Sequence, residues 1–305
     1  MTNDTTSASN LGPSWGYRTI IFWEAVLPRW LFNFLLGIGT FIGLLITPRR
    51  RRYAADYWLT LTHKPPSLWD QYRHYRSFME SLVLKLQAGR GKLPTFYFAP
   101  KANKDTFIAL CHNPEPALFG TFHVGHSDMM GCMLKDFNRR VAMVRHRVGN
   151  SEDTDILASS FSNNLRFLWI NDPTNFIFQL KEAIQQGESI ALQCDRTEFS
   201  SKKASFRFLG EDRAFPMTIY FLADLFKCPV VFSFTGPLEK FSKIAIYTSR
   251  VFHPNPDRKK SMEKAKRHFQ EVLYQLENHL KRHPDLWFNF SPLSKGLDEE
   301  SPSDD

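Results

Sequence analysis

From about residue 95 to residue 250 the chain alternates short apolar runs with longer amphipathic stretches, and few folds accommodate that order. The runs are too short for helices, and most lack the in–out alternation of a strand with one wet face. They read as strands at 117–122, 141–145, 165–170, 189–194, 205–209, 229–235 and 243–248. Helical spacing predicts helices at 127–135, 152–162, 174–186, 217–226 and 261–282. The last of these sets Ala265, Phe269, Val272, Leu273, Leu276 and Leu280 on one face. Strand–helix alternation with apolar strands predicts an α/β fold, a mostly parallel central sheet flanked by helices. In such sheets the working residues lie just past the carboxyl ends of the strands.

The N-terminal part is of a different kind. Residues 1–10 are polar and lack the positive start of a secretory signal. From Ile20 to Ile46 only Glu24 and Arg29 are charged, and Pro28 divides the stretch. Its cleaner half, Leu31 to Ile46, falls short of the ~20 residues that span a bilayer. Pro48 and four arginines, Arg49 to Arg52, follow at once. Arginines beside an apolar helix bind anionic headgroups and mark a cytoplasmic side. The expectation is a membrane-associated helix, either tilted across the bilayer or lying in its interface; the plainer alternative is a surface helix packed on the protein's own core. Next, Ser67 stands as an N-cap before Trp69, Tyr72, Met79, Leu82 and Leu86 at helical spacing, and Gly89 and Gly91 end the helix. The organisation is therefore a polar leader, hydrophobic helix and arginine cluster over 1–53. An α/β domain with a helical lead-in at 54–94 covers 54–295, and an acidic tail covers 296–305.

The formal net charge of +8 favours an acidic partner such as anionic lipid, a phosphate-bearing substrate or nucleic acid. Nucleic acid is the poorest fit, because zinc-finger spacing, an RNP-like strand and a basic heptad region are all missing from the sequence. Cys111, Cys132, Cys194 and Cys228 are widely spaced in or beside apolar runs, without C-x-x-C or metal spacing. They read as buried reduced thiols of a reducing compartment. No metal site is expected.

Within Leu118–Met130, an apolar run ends in His123 and Asp128 follows at the spacing H-x-x-x-x-D. Neutral imidazole is a good base near neutral pH if one ring nitrogen is free and the other is held by an acceptor. Asp128 can be that acceptor if the chain turns, and Gly125 permits a turn. The plainer alternative is a core histidine and a helix-capping aspartate. A third reading takes Ser127, in G-H-S-D-M, as a hydrolase nucleophile in a G-x-S-x-G-like turn, but Met129 fills its last small position.

The stretch G-T-F-H-V-G-H-S-D resembles the H-x-G-x-x-[D/E] motif of the late acyltransferases of lipid A biosynthesis, within the wider group of H-x-x-x-x-D glycerolipid acyltransferases. Other stretches follow in the family's order. Phe178–Arg196 is similar to its helix, Gly-Glu turn, buried strand and closing Asp-Arg or Asp-Gln. Phe206–Phe234 is similar to F-L-G-x-x-x-x-F-P, a helix and C-P-V-V. His283-Pro284-Asp285 with Trp287-Phe288 resembles H-P-x-x-W-F. Ser127 stands where an aromatic is usual, and Cys194-Asp195-Arg196 matches the commoner Asp-Gln-Asp only in part, as in a divergent member.

The resemblance implies transfer of a fatty acyl chain from acyl carrier protein or coenzyme A to a lipid hydroxyl, a lipid A precursor or related glycolipid or aminolipid. It implies no cofactor, no covalent acyl-enzyme, and a place on the cytoplasmic face of a bacterial inner membrane. His123 would be the base and Asp128 its orienter, with Gly125 and Asp195 supporting the site. Arg145, then Arg147, would meet oxyanion or phosphate, while Arg139 and Arg140 read as solvated; Asp195 and Arg196, at the end of another strand, read either as facing the same cleft or as a structural ion pair. The basic run Arg258–Lys260 with Lys264, Lys266 and Arg267 reads as a solvated face or as a dock for an acidic carrier protein. Two rivals stay open: a serine hydrolase, and an inactive relative that binds lipid or carrier without turnover.

Overall fold

The computed structural model describes residues 14–100, 102–145, 164–170, 173–197, 200–239 and 242–297. The expected helix at 152–162, Arg147 and most of the acidic tail lie outside them. Four helices open the chain: α1 (Ser14–Val26), α2 (Arg29–Ile46), α3 (Pro48–Thr62) and α4 (Leu68–Ala88). They are followed by β1 (Thr95–Phe98), α5 (Lys104–His112), β2 (Leu118–Thr121) and α6 (Met130–Leu134), the last flanked by single 3-10 turns. Then come β3 (Val141–Arg145), β4 (Leu165–Trp169), α7 (Pro173–Gln185), β5 (Ser189–Gln193), β6 (Lys203–Phe208) and β7 (Glu211–Pro216). The chain closes with α8 (Thr218–Phe226), β8 (Val230–Glu239), β9 (Lys243–Thr248) and α9 (Arg258–Arg282).

Seven strands form one sheet in the order β1-β9-β8-β2-β5-β3-β4. Every pairing is parallel except β8 with β9. Strand β6, expected in this sheet, instead pairs with β7 in a separate antiparallel hairpin. The expected helix at 127–135 is broken into a 3-10 turn at Ser127–Met129, α6, and a second 3-10 turn at Lys135–Phe137. The boundary drawn between residues 53 and 54 falls inside α3, which carries the four arginines in its own first turns.

Both faces of the sheet are covered. On one, the apolar face of α9 (Ala265, Phe269, Val272, Leu273, Leu276 and Leu280) is buried against Phe122, Phe232 and Phe206. On the other, α5 and α6 bury Phe107, Leu110, Met130 and Met133 with Phe119 and Val231. Gly120 in β2 lies where the Phe232 ring crosses; a Cβ there would stand 2.5 Å from the ring.

Arg139 is buried, not solvated. It donates to the carbonyls of Leu110, Cys111, Asn113 and Glu115, which close the end of α5, and to Ser189 Oγ. Helix carbonyls at a C-terminus need such donors, and a buried acceptor left without one costs about 1–3 kcal/mol. Arg139→Met is therefore expected to lower unfolding free energy by about 3 kcal/mol or more, read by urea denaturation. Arg140, as expected, is exposed.

Helix α4 begins as expected. Ser67 Oγ accepts from Asp70 N while the Asp70 carboxylate accepts from Ser67 N, a reciprocal cap. One face of α4 carries α1 and α2: Phe32 and Leu36 pack on Val83, and Leu44 packs on Tyr75. The opposite side of α2 shows Trp30, Phe34, Ile38, Ile42 and Ile46 to solvent. Helix α2 is apolar and long enough, by length and composition alone, to cross a membrane.

Candidate active site

The sheet register builds the site. Strands β2 and β5 are adjacent and parallel, with Leu118 opposite Ile190 and Thr121 opposite Gln193. The pairing continues past the strand ends through Cys194 N, which donates to Thr121 O at 2.8 Å. Two residues beyond Thr121 stands His123, and two beyond Gln193 stands Asp195. Equal steps from a common register bring them side by side at the carboxyl end of the sheet.

They meet by two hydrogen bonds. His123 Nδ1 lies 2.8 Å from Asp195 Oδ1, and His123 N donates to Asp195 Oδ2 at 2.9 Å. The Asp195 side chain is fully buried, whereas the His123 ring is 21% exposed. Burial alone would raise the Asp195 carboxyl. The charge of His123, its ring and main-chain donors, and Arg196 outweigh burial and hold the carboxyl below its ordinary value. An ionised carboxylate only accepts, so Nδ1 carries a proton, and when the ring is neutral Nε2 is the nitrogen with the lone pair. The orienting place expected of Asp128 is thus taken by Asp195. Asp128 sits in the 3-10 turn at Ser127–Met129, and its side chain lies outside what the structure describes.

The loop after His123 is pinned from several sides. Gly125 has φ +54°, and a Cβ there would stand 2.8 Å from Thr235 O; no other residue type fits without strain. Thr235 Oγ1 accepts from His126 N at 2.7 Å. Residues 286–289 cross the ends of both strands. Phe288 N donates to His123 O at 2.6 Å, Gly125 N donates to Leu286 O at 2.8 Å, and Val124 and Trp287 form a β-bridge. Asn289 accepts from Arg196 Nε at 3.3 Å and donates to Asp195 O at 3.4 Å. Arg196 is therefore turned toward Asn289. The segment that resembles H-P-x-x-W-F contacts the main chain of both paired residues, which its distance along the sequence gave no sign of.

Arg145 ends β3, which flanks β5, so it shares the sheet end with the pair; its guanidinium lies over the Phe167 ring at 5.4 Å. Ser127 is buried, and its hydroxyl donates to Val124 O at 2.5 Å. A nucleophile needs its oxygen open to substrate and its proton shared with a base; this hydroxyl has neither. Among the described residues, Cys111, Cys194 and Cys228 are buried free thiols. Burial, and then the neighbouring Asp195 charge, raise the Cys194 thiol well above its ordinary value and away from reactivity. Its thiol is held in the protonated form.

A small recess opens beside Asp195, lined among others by Thr197, Arg213, Trp287, Asn289 and Ser291. No cluster of three or more histidine, cysteine or carboxylate side chains suited to a metal ion occurs among the described residues. The arrangement can do one thing plainly: an oriented neutral imidazole at the edge of the protein can accept a proton from a bound hydroxyl or amine. Compared with known protein families and with curated protein sequences, the chain matches none.

Proposed function

We propose that this chain transfers a fatty acyl group from a thioester to a lipid hydroxyl at a membrane surface, with His123 as general base and Asp195 as its orienter. The observation that carries this reading is the 2.8 Å bond from His123 Nδ1 to buried Asp195, which occupies one ring nitrogen of a partly exposed imidazole and leaves Nε2 as the other. His123 Nε2 takes the proton of the acceptor hydroxyl as its oxygen attacks the thioester carbonyl. The tetrahedral oxyanion collapses, the C–S bond breaks, and the leaving thiolate takes the proton back from the imidazolium. Arg145 and Arg196 supply positive charge at the same sheet end for the oxyanion or a donor phosphate.

Helix α9 begins soon after Phe252, which pairs with Val230 at the amino end of β8, so its first turns lie at the far end of the sheet from His123. That favours a solvated face for Lys259, Lys264, Lys266 and Arg267 over a dock for the donor. The donor remains a thioester of acyl carrier protein or coenzyme A. The buried, committed Ser127 hydroxyl weighs against the hydrolase. The decisive assay supplies acyl-coenzyme A and acyl carrier protein thioesters with lipid vesicles. Thiol release matched by acylated lipid, with no labelling by a serine-directed fluorophosphonate, is the expected result; fluorophosphonate labelling that blocks thiol release contradicts it.

The membrane part of the reading rests on α2. A helix seated along one face on α4 lies in the interface plane, its free apolar side toward the acyl region and the Arg49–Arg52 run toward headgroups. Trp69 is 65% exposed and stacks on Tyr72, which meets Phe41, so the apolar surface runs on from α2 to α4. Burying each large apolar side chain is worth about 1.5–3 kcal/mol. Trp30→Glu with Phe34→Glu is expected to weaken binding to anionic vesicles by about 100-fold or more in flotation assays. Unchanged flotation would place the membrane contact elsewhere.

A further inference from the structure

Helix α4 has a second face, toward the site. His74, Ser77 and Ser81 recur on it at helical spacing. Ser81 Oγ donates to Gly125 O at 3.2 Å, and Ser77 Oγ donates to Asp285 Oδ2 at 2.6 Å. His74 is 1% exposed, and both its ring nitrogens are engaged. Trp58 Nε1 donates to His74 Nδ1 at 3.2 Å, and His74 Nε2 lies 2.6 Å from Trp287 O. An indole nitrogen can only donate, so Nδ1 accepts, and Nε2 carries the proton given to Trp287 O. Burial keeps the ring neutral, lowering it to about 4.

Trp287 O belongs to the segment whose neighbours hold the pair. Phe288 N is bonded to His123 O, and Asn289 to Asp195 O. The His74 bond thus fixes the carbonyl between Leu286, which accepts from Gly125, and Phe288, which donates to His123. Ring contacts hold the same segment in place: Tyr57 stacks on Trp287 at 5.9 Å, and His74 faces Phe290 at 5.0 Å. Any buried imidazole needs partners for both ring nitrogens; what sets His74 apart is that its acceptor, Trp287 O, belongs to the segment that is bonded to His123 and Asp195.

We propose that His74 is a positioning residue for the His123–Asp195 pair, acting through the main chain of residues 286–289. The rate readout rests on the acyl-transfer reading; the spectroscopic one does not. Three variants of the full chain are compared with wild type: His74→Leu, which removes the donor; His74→Gln, whose amide can replace it; and Ser77→Ala, which removes only the bond to Asp285. The first readout is the far-downfield ring N–H proton of a carboxylate-bound imidazole, assigned to His123 by its loss in His123→Ala. The second is kcat and KM for thiol release in the presence of vesicles.

In His74→Leu the resonance broadens or vanishes and kcat falls about tenfold or more, with KM unchanged, because misplacing a reacting group by even 1 Å costs up to about 100-fold. His74→Gln restores both. Ser77→Ala lowers kcat in the same direction without moving KM, and keeps the test open if His74→Leu fails to fold. A folded His74→Leu that keeps the resonance and kcat overturns the proposal. So does a His74→Gln no better than His74→Leu, or, where His74→Leu does not fold, a Ser77→Ala indistinguishable from wild type. If the resonance responds as expected but wild type transfers no acyl group, the positioning role stands and the acyl-transfer reading falls.

Discussion

His123→Ala and Asp195→Asn are each expected to lower acyl transfer by about 10²–10⁴-fold, with the chain still folded. Removing the ring removes the base. Asparagine at 195 has the shape of the carboxylate but not its charge; its amide can donate to the ring, stabilise the wrong tautomer and leave Nε2 protonated, unable to accept. Asp195 also accepts from His123 N, so the substitution disturbs main chain as well as ring. Asp128→Asn discriminates between the two carboxylates. With Nδ1 given to Asp195, the loss from Asp195→Asn exceeds that from Asp128→Asn, and Ser127→Ala stays within a few-fold of wild type. Steady-state thiol release with each variant, at matched vesicle concentration, ranks them.

The second large effect is on stability. His74, His126 and His279 are buried, and burial holds them at about 4, about 4 and about 3. Lys85 pushes His126 the same way, and the charges of His283 and Arg282 do so for His279. On unfolding each returns to about 6.5. Above that value neither state binds the proton. As pH falls below it, the unfolded chain takes up protons that the folded chain refuses, so stability drops, and the drop levels off only where the folded rings titrate. At pH 5 this amounts to roughly 2 kcal/mol for each ring, a large part of the ~5–15 kcal/mol that holds a typical domain folded. Urea midpoints are expected to fall steeply from pH 7.5 to pH 5, and His126→Asn is expected to flatten part of that slope. An equal midpoint at both pH values would mean that the rings are charged or solvated in the folded state. The effect bears on the site because the His279 ring supports the His123 loop. His279 Nε2 bonds Thr235 O at 3.2 Å, and Thr235 Oγ1 in turn holds His126 N.

Six strands of the sheet were legible because they are written in contiguous apolar residues, and β3 and β9 begin and end where the pattern places them; β1, only four residues long, went unread. Strand β7 was not, because its charged start, Glu211-Asp212-Arg213, masks it. The turn before β7 uses Leu209 at φ +52° and Gly210 at φ +81°. A hairpin of that kind ordinarily advertises itself with Asn-Gly or Asp-Gly, and leucine hides it. Helix α5 is short and stabilised from outside, by an arginine some thirty residues on, so local periodicity carried little of its signal. The arginines at 49–52 suggested a headgroup cluster and concealed that they open α3, with Pro48 at its first position.

The same limit explains the site. Spacing along the chain could find His123 but paired it with the nearest carboxylate. The carboxylate bonded to Nδ1, Asp195, is chosen by sheet register, a contact between residues far apart in sequence. A trace of it is nevertheless written in the chain. L-F-G-T-F-H at 118–123 and I-A-L-Q-C-D at 190–195 share one form: an apolar run, a polar residue, an apolar one, then a titratable group. Aligning the ends of neighbouring parallel strands would have placed His123 opposite Asp195. What no local pattern encodes is the crossing of residues 286–289 over both, or the face of α4 that holds them there.

The most direct measurement is lipid mass spectrometry of three cell lines: one carrying the chain, one deleted for it, and one complemented with Asp195→Asn. The account predicts that deletion accumulates a lipid lighter by one acyl group, that wild type restores the heavier species, and that Asp195→Asn does not. Identical lipid profiles with and without the chain, or full restoration by Asp195→Asn, would contradict it.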